Sequence, residues 1–164
     1  MKLTTLLSLG LALGLDAVTA LWIDEDVPFE RADNFTDNTV CGQAEGEQSD
    51  ASVPQANFMD CINMHVNFDY QDRGNFSITK DDFDGEYRVL MSERTCNMGL
   101  SYADGSAEGV KFGDQDVMKL IQYAVNTFSG ETGVAAHGTL ECTAIGKEGN
   151  ATLSWSIFDD KDAA

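Results

Sequence analysis

The sequence predicts an α+β fold: an antiparallel β-sheet covered on one face by two α-helices, a two-layer α/β sandwich stapled by disulfides. Three observations carry this expectation. Two segments have helical apolar periodicity. Between and after them, short runs alternate apolar and polar residues, clustered together instead of alternating strictly with helices. Four cysteines, Cys41, Cys61, Cys96 and Cys142, are spread along the chain.

The first helix is expected to begin near Ser52. Ser52 and Gln55 have capping-box spacing, and Pro54 is tolerated in a first turn. Phe58, Cys61, Ile62, His65 and Val66 then follow helical spacing, which predicts a buried stripe including Cys61. Phe76 and Ile78 alternate with polar residues after Gly74 and read as a strand. Tyr87 to Met91 and Thr95 to Tyr102 read as two more. The second helix starts at Asp114, a good N-cap, and carries Val117, Leu120, Ile121, Ala124, Val125 and Phe128 on one face. Ser129-Gly130 stops it. Leu140, Cys142 and Ala144, then Ala151, Leu153, Trp155 and Ile157, alternate on either side of a turn and predict a hairpin.

The chain has 164 residues, 43% of them hydrophobic, which suits one ordinary domain with a real core. It carries 28 acidic and 10 basic side chains, a formal charge of -18. Nucleic acid needs a basic face and an anionic membrane needs basic clusters, so neither is expected as a partner. Residues 1–20 read as a signal peptide: Lys2, the apolar run Leu3 to Leu15, and Val18-Thr19-Ala20 as a cleavage site. No later segment has membrane length, so stable membrane insertion is not expected. Residues 21–37 are read as an acidic flexible arm, 38–158 as the domain, and 159–164 as a disordered tail.

Export and an even cysteine count predict two disulfides. Of three connectivities the nested one is favoured, Cys61–Cys96 and Cys41–Cys142. The first would tie the first helix to the sheet and the second would fasten the polar arm to the hairpin. Three sequons, at Asn34, Asn75 and Asn150, are candidate glycosylation sites.

Catalytic motifs are absent: no Gly-x-Ser-x-Gly, no His-Glu-x-x-His, no P-loop. His65 and His137 are the two histidines, too few for a zinc site with oxidised cysteines. The 69–80 segment lacks the oxygen ligands of a calcium loop, and Asp81 to Glu86 reads as a solvated acidic turn. No enzyme activity, cofactor or metal is expected.

Several short stretches carry a family resemblance in their order. These are Asp60-Cys61, Gly74-Asn75-Phe76, Thr95-Cys96-Asn97-Met98-Gly99, Gly113-Asp114-Gln115-Asp116-Val117, and Gly138 to Cys142. The hairpin from Gly149 to Trp155 follows them. Over about residues 38–158 the chain resembles the fungal extracellular-protein-2 effector family, the necrosis-inducing-factor domain. Phe76 replaces the family's Trp, Met98 stands where an aromatic is common, and the acidic insert at 80–86 lengthens the Cys61–Cys96 span.

The resemblance implies a secreted, non-enzymatic effector or toxin, linked with plant cell death and similar to small killer toxins of α/β-sandwich fold. It supplies no active site. The expected function is binding of a host protein, a competitor protein or a cell-wall target by an extracellular monomer. A killer-type toxin against microbes is the first alternative. A small secreted hydrolase is the second, and would need two facing carboxylates in a pocket.

Overall fold

The structure, a computed structural model, describes residues 21–32, 38–69, 74–81, 83, 87–102, 106–131 and 133–159. The signal-peptide reading, the Asn34 sequon and the tail beyond Asp159 lie outside the described residues. Most of the Asp81 to Glu86 turn does too.

In chain order the elements are β1 (Trp22–Ile23), β2 (Phe29–Arg31), β3 (Glu45–Gln48), α1 (Phe58–Asp69), β4 (Gly74–Thr79), β5 (Arg88–Glu93), β6 (Cys96–Tyr102), β7 (Gly109–Gly113), α2 (Asp114–Phe128), β8 (Ala136–Ile145) and β9 (Asn150–Phe158). The strands join in the order β1-β5-β6-β9-β8-β7-β4-β2, with β3 also on β8. Every pairing is antiparallel.

This corrects the expected sandwich. The fold is mostly antiparallel β, a nine-stranded sheet curled into a half-barrel with two short helices, and not a two-layer sandwich with helices over one face. The physical reason shows in β6, where all seven residues are buried. A sheet covered on one side would leave alternate residues wet. Instead Cys96 faces α1 through its disulfide, while Gly99 on the opposite pleat lies under Phe158 and Tyr87.

Of the expected flexible arm at 21–37, residues 21–32 are described, and there the chain is held in strands. Residues 21–32 form β1 and β2, which take opposite edges of the sheet. Trp22 and Ile23 pair with Ser92 and Met91, and Phe29 to Arg31 pair with Phe76 to Gly74. Arg88 Nε lies 2.7 Å from Asp24 Oδ2, and its guanidinium sits over the Phe83 ring at 5.4 Å. Acidic composition hid these strands, because Asp24 and Glu30 work here as partners of Arg88 and Lys111.

The free side of β8 is occupied in succession by three segments. Glu45 to Gln48 of β3 pair with Thr139 to Ala136. Cys41 then bridges Cys142, flanked by Gly42 N–H to Glu141 O at 2.7 Å and Thr143 N–H to Val40 O at 3.0 Å. Gly109 and Val110 of β7 finish the row against Ile145 and Ala144. Gly46 is required in this seam, since a Cβ there would meet Trp155 Cζ2 at 2.5 Å and the His137 carbonyl at 2.8 Å.

The helices pack on each other; α1 lies against β5 and β6, and α2 against β7, β3 and β4. In α2, Val117, Leu120, Ile121 and Ala124 are buried, and Val125 and Phe128 are partly so. Tyr123 meets the buried Trp155 edge-on at 6.1 Å. The first helix differs from expectation in start and in face. It begins at Phe58, where the Asn57 side chain accepts the Met59 N–H at 2.9 Å as an N-cap. Cys61, Met64 and Phe68 point to the core, while Phe58, Ile62 and Val66 point outward. Apolar residues lie on both faces of α1, so periodicity places Cys61 correctly in the core but puts Phe58, Ile62 and Val66 on the wrong side.

Candidate functional site

Two disulfides and three buried carboxylates set the frame on which the surfaces are displayed. Cys41 is joined to Cys142 across β8, and Cys61 of α1 to Cys96 of β6. The four sulfurs therefore sit at two separate places, one beside α2 and the arm, the other beneath α1.

At the second place, Asp60 is 8% exposed and its Oδ2 accepts the Thr95 hydroxyl at 2.7 Å. The same hydroxyl oxygen accepts the Asn57 N–H at 2.9 Å. Thr95 thus stands between the N-cap residue of α1 and the carboxylate three positions on. It completes a capping box through a hydroxyl borrowed from the β5–β6 turn.

At the first place, the N-cap of α2 is Gly113 and not Asp114. Asp114, fully buried, accepts the Asn38 N–H at 2.9 Å and the Gly74 N–H at 3.1 Å. Asp116 Oδ2 accepts from Val40 at 2.8 Å, and from Cys41 and Gly113 at 3.1 Å. The two aspartates therefore tie the 38–41 segment to the start of α2. Gly113 permits the approach, because a Cβ would lie 2.1 Å from the Asn38 carbonyl oxygen. Burial pushes the Asp116 carboxyl up from its ordinary value; the three N–H groups and Lys119 pull the other way without cancelling it.

The outer face of α1 is the most unusual surface. Phe58, Met59, Ile62 and Val66 are exposed by 43%, 47%, 36% and 41%. They are four of the six large apolar side chains exposed among the described residues. Positions 58, 62 and 66 recur every four residues and form one strip along the helix. Beside the strip, Ile62 and His65 of α1 face Ile121, Gln122 and Val125 of α2 across a cleft of about 170 Å³. A helix apolar on both faces is expected to be buried on both. Such a strip left open to water is a candidate contact surface.

The candidate residues from sequence are distributed as follows. His65 lines the cleft between the helices. His137 lies on β8, with Nε2 3.3 Å from Glu47 Oε1 and Nδ1 3.2 Å from Ser49 Oγ. Sequence motifs gave no sign of this Ser–His–Glu chain, which β3–β8 pairing assembles. The Glu47 side chain is 79% exposed and that of His137 41%, so water screens the pair. Asn75 sits inside the sheet between Glu30 and Gly113, with Oδ1 buried and unpartnered among the described residues. Asn75 is half-buried in β4, whereas Asn150 opens β9 at an exposed turn.

Fold and site together define a small antiparallel β domain, doubly disulfide-stapled, that displays an apolar helix face on a rigid frame. Residues 40–142 match the profile of the Hce2 family, described as a pathogen effector and candidate necrosis-inducing factor. That match covers more than half of the sequence, and the chain belongs to this family of pathogen effectors. The matched segment begins beside Cys41 and closes on Cys142, so the outer disulfide joins its two ends. No curated protein matches the chain.

Proposed function

We propose that this protein is a secreted effector that acts outside the fungal cell by binding a host protein through the outer face of α1, without catalysis. Membership of the effector family supports the biological role. The single observation that carries the mode of action is the exposed strip of Phe58, Met59, Ile62 and Val66. Burial of such side chains in a partner contributes about 25 cal/mol per Å² of apolar area, so four of them form an effective anchor. Two disulfides hold the domain through exposure to an oxidising, protease-rich space and support secretion as its destination.

The strip is continuous with the Asp60–Thr95 and Cys61–Cys96 links, which pin α1 at its first turn. A helix held in this way presents its side chains without further ordering cost, which favours binding. The acidic charge disfavours nucleic acid and anionic membrane as targets. The protein acts as a monomer in this reading.

The test is infiltration of protein purified from culture medium into plant leaf, with parallel addition to fungal cultures. Cell death or a defence response confined to the leaf is the expected result. Growth arrest of the cultures with an unresponsive leaf would replace this reading with a killer-type toxin.

A further inference from the structure

A second cavity, unrelated to the α1 face, lies between α2, the 41–44 arm and β8. Its volume is about 390 Å³. Leu120, Tyr123 and Leu140 form its apolar walls, and the half-cystine Cys41 closes one side. Asp116 and Lys119 supply its charges. The size falls within the range of about 300–1,000 Å³ common to small-molecule sites, which are mostly apolar with few polar groups.

Asp116 is the informative residue. It is only 4% exposed, yet it lines this cavity. Its Oδ2 is saturated by the Val40, Cys41 and Gly113 N–H groups. Those bonds fix the carboxyl plane and leave Oδ1 as an acceptor with no protein donor among the described residues. Lys119 Nζ donates to Thr39 Oγ1 at 3.0 Å and makes no hydrogen bond to Asp116 among the described residues. Oδ1 is reached by water from the cavity, and a ligand that brings a donor would replace that water on an otherwise buried carboxylate.

We propose that this cavity binds a small, mainly apolar molecule bearing one amine or hydroxyl group, whose hydrogen is donated to Asp116 Oδ1. A ligand carboxylate is disfavoured by the acceptor it would face and by the net charge of -18. The ring or chain of the ligand packs against Leu120, Leu140 and Tyr123.

The test is titration of isotope-labelled protein with three single-ring probes, 2-phenylethylamine, 2-phenylethanol and 3-phenylpropanoate, followed by NMR. The amine or the alcohol should give saturable shifts confined to Leu120, Tyr123, Leu140 and the 41–44 arm, with Kd about 1–10 mM for probes this small. The carboxylate should bind at least about tenfold more weakly. In Asp116→Asn the amide oxygen can keep the three N–H bonds while its NH2 turns to the cavity, so an acceptor becomes a donor. That variant should lose amine binding about tenfold and gain carboxylate binding. Leu140→Trp, which fills the space, should abolish all binding; if it fails to fold, the preference reversal in Asp116→Asn decides. Absence of saturable shifts, equal binding of the carboxylate, or an unchanged preference in Asp116→Asn would overturn the proposal.

Discussion

The Asp60 carboxylate accepts the Thr95 hydroxyl at 2.7 Å, and each residue directly precedes one half of the Cys61–Cys96 disulfide. A polar link and a covalent link thus run in parallel between the first turn of α1 and the β5–β6 turn. The arrangement gives both dipeptides a reason to occur together: Asp60-Cys61 and Thr95-Cys96 form one clamp. Replacing Thr95 by Val keeps the shape but removes the hydroxyl, leaving Asp60 with the longer 3.4 Å bond from the backbone N–H of residue 95 and the Asn57 N–H without its acceptor. The expected loss is about 1–3 kcal/mol by urea denaturation, with the disulfide intact by mass. An unchanged midpoint would show that the clamp is covalent alone.

Cys61→Ser and Cys96→Ser should destabilise by similar amounts, and the double variant by little more than either. The second removal takes away no further constraint. Chain-entropy arguments put each loss at about 3–4 kcal/mol for a loop of this size. Additive losses in thermal melts would contradict a shared bond.

Asp116 gives a signed pH prediction. Its folded-state value is raised above the ordinary 3.8, so the native state binds the proton more tightly than the unfolded chain does. Its contribution is therefore fully present below about pH 4 and is lost as pH rises through the raised value. Asp116→Asn lacks this dependence. Urea midpoints at about pH 4 and about pH 7 should show the variant gaining on the wild type at the higher pH. Asp116→Ala, which strands three buried N–H groups, should cost about 2–4 kcal/mol at either pH.

Ile121 is 1% exposed on the inner face of α2. Ile121→Asp would bury an unpaired charge and should cost more than about 4 kcal/mol, enough to prevent secretion of a marginal domain. Normal yield with an unchanged melting temperature would contradict the docking of α2.

Strands with alternating apolar residues were legible from sequence, as β4, β6, β8 and β9 show. So was the long helix, whose apolar stripe is nearly continuous. The short strands β1, β2, β3 and β7 were not. Glu45-Gly46-Glu47-Gln48 has no buried residue at all, and only its pairing with β8 makes it a strand. Sheet curvature was equally hidden, because small residues such as Gly99 and Ser101 carry no hydrophobic signal yet are buried on the second face. The apolar strip of α1 is visible as residues, but its spacing merges it with the core-facing stripe that holds Cys61. Its two-faced pattern could have been the signal for a contact surface, since a 12-residue helix cannot bury both sides against one sheet.

The most direct test of the account compares the wild type with the double variant Ile62→Ser, Val66→Ser in leaf infiltration at matched dose. Ile62 and Val66 are 36% and 41% exposed, and Ile62 also faces the cleft with α2, so the pair should cost about 1–2 kcal/mol, too little to unfold the domain. The prediction is a folded, disulfide-bonded protein that no longer elicits the leaf response. A full response from the folded variant would contradict the claim that the outer face of α1 engages the target.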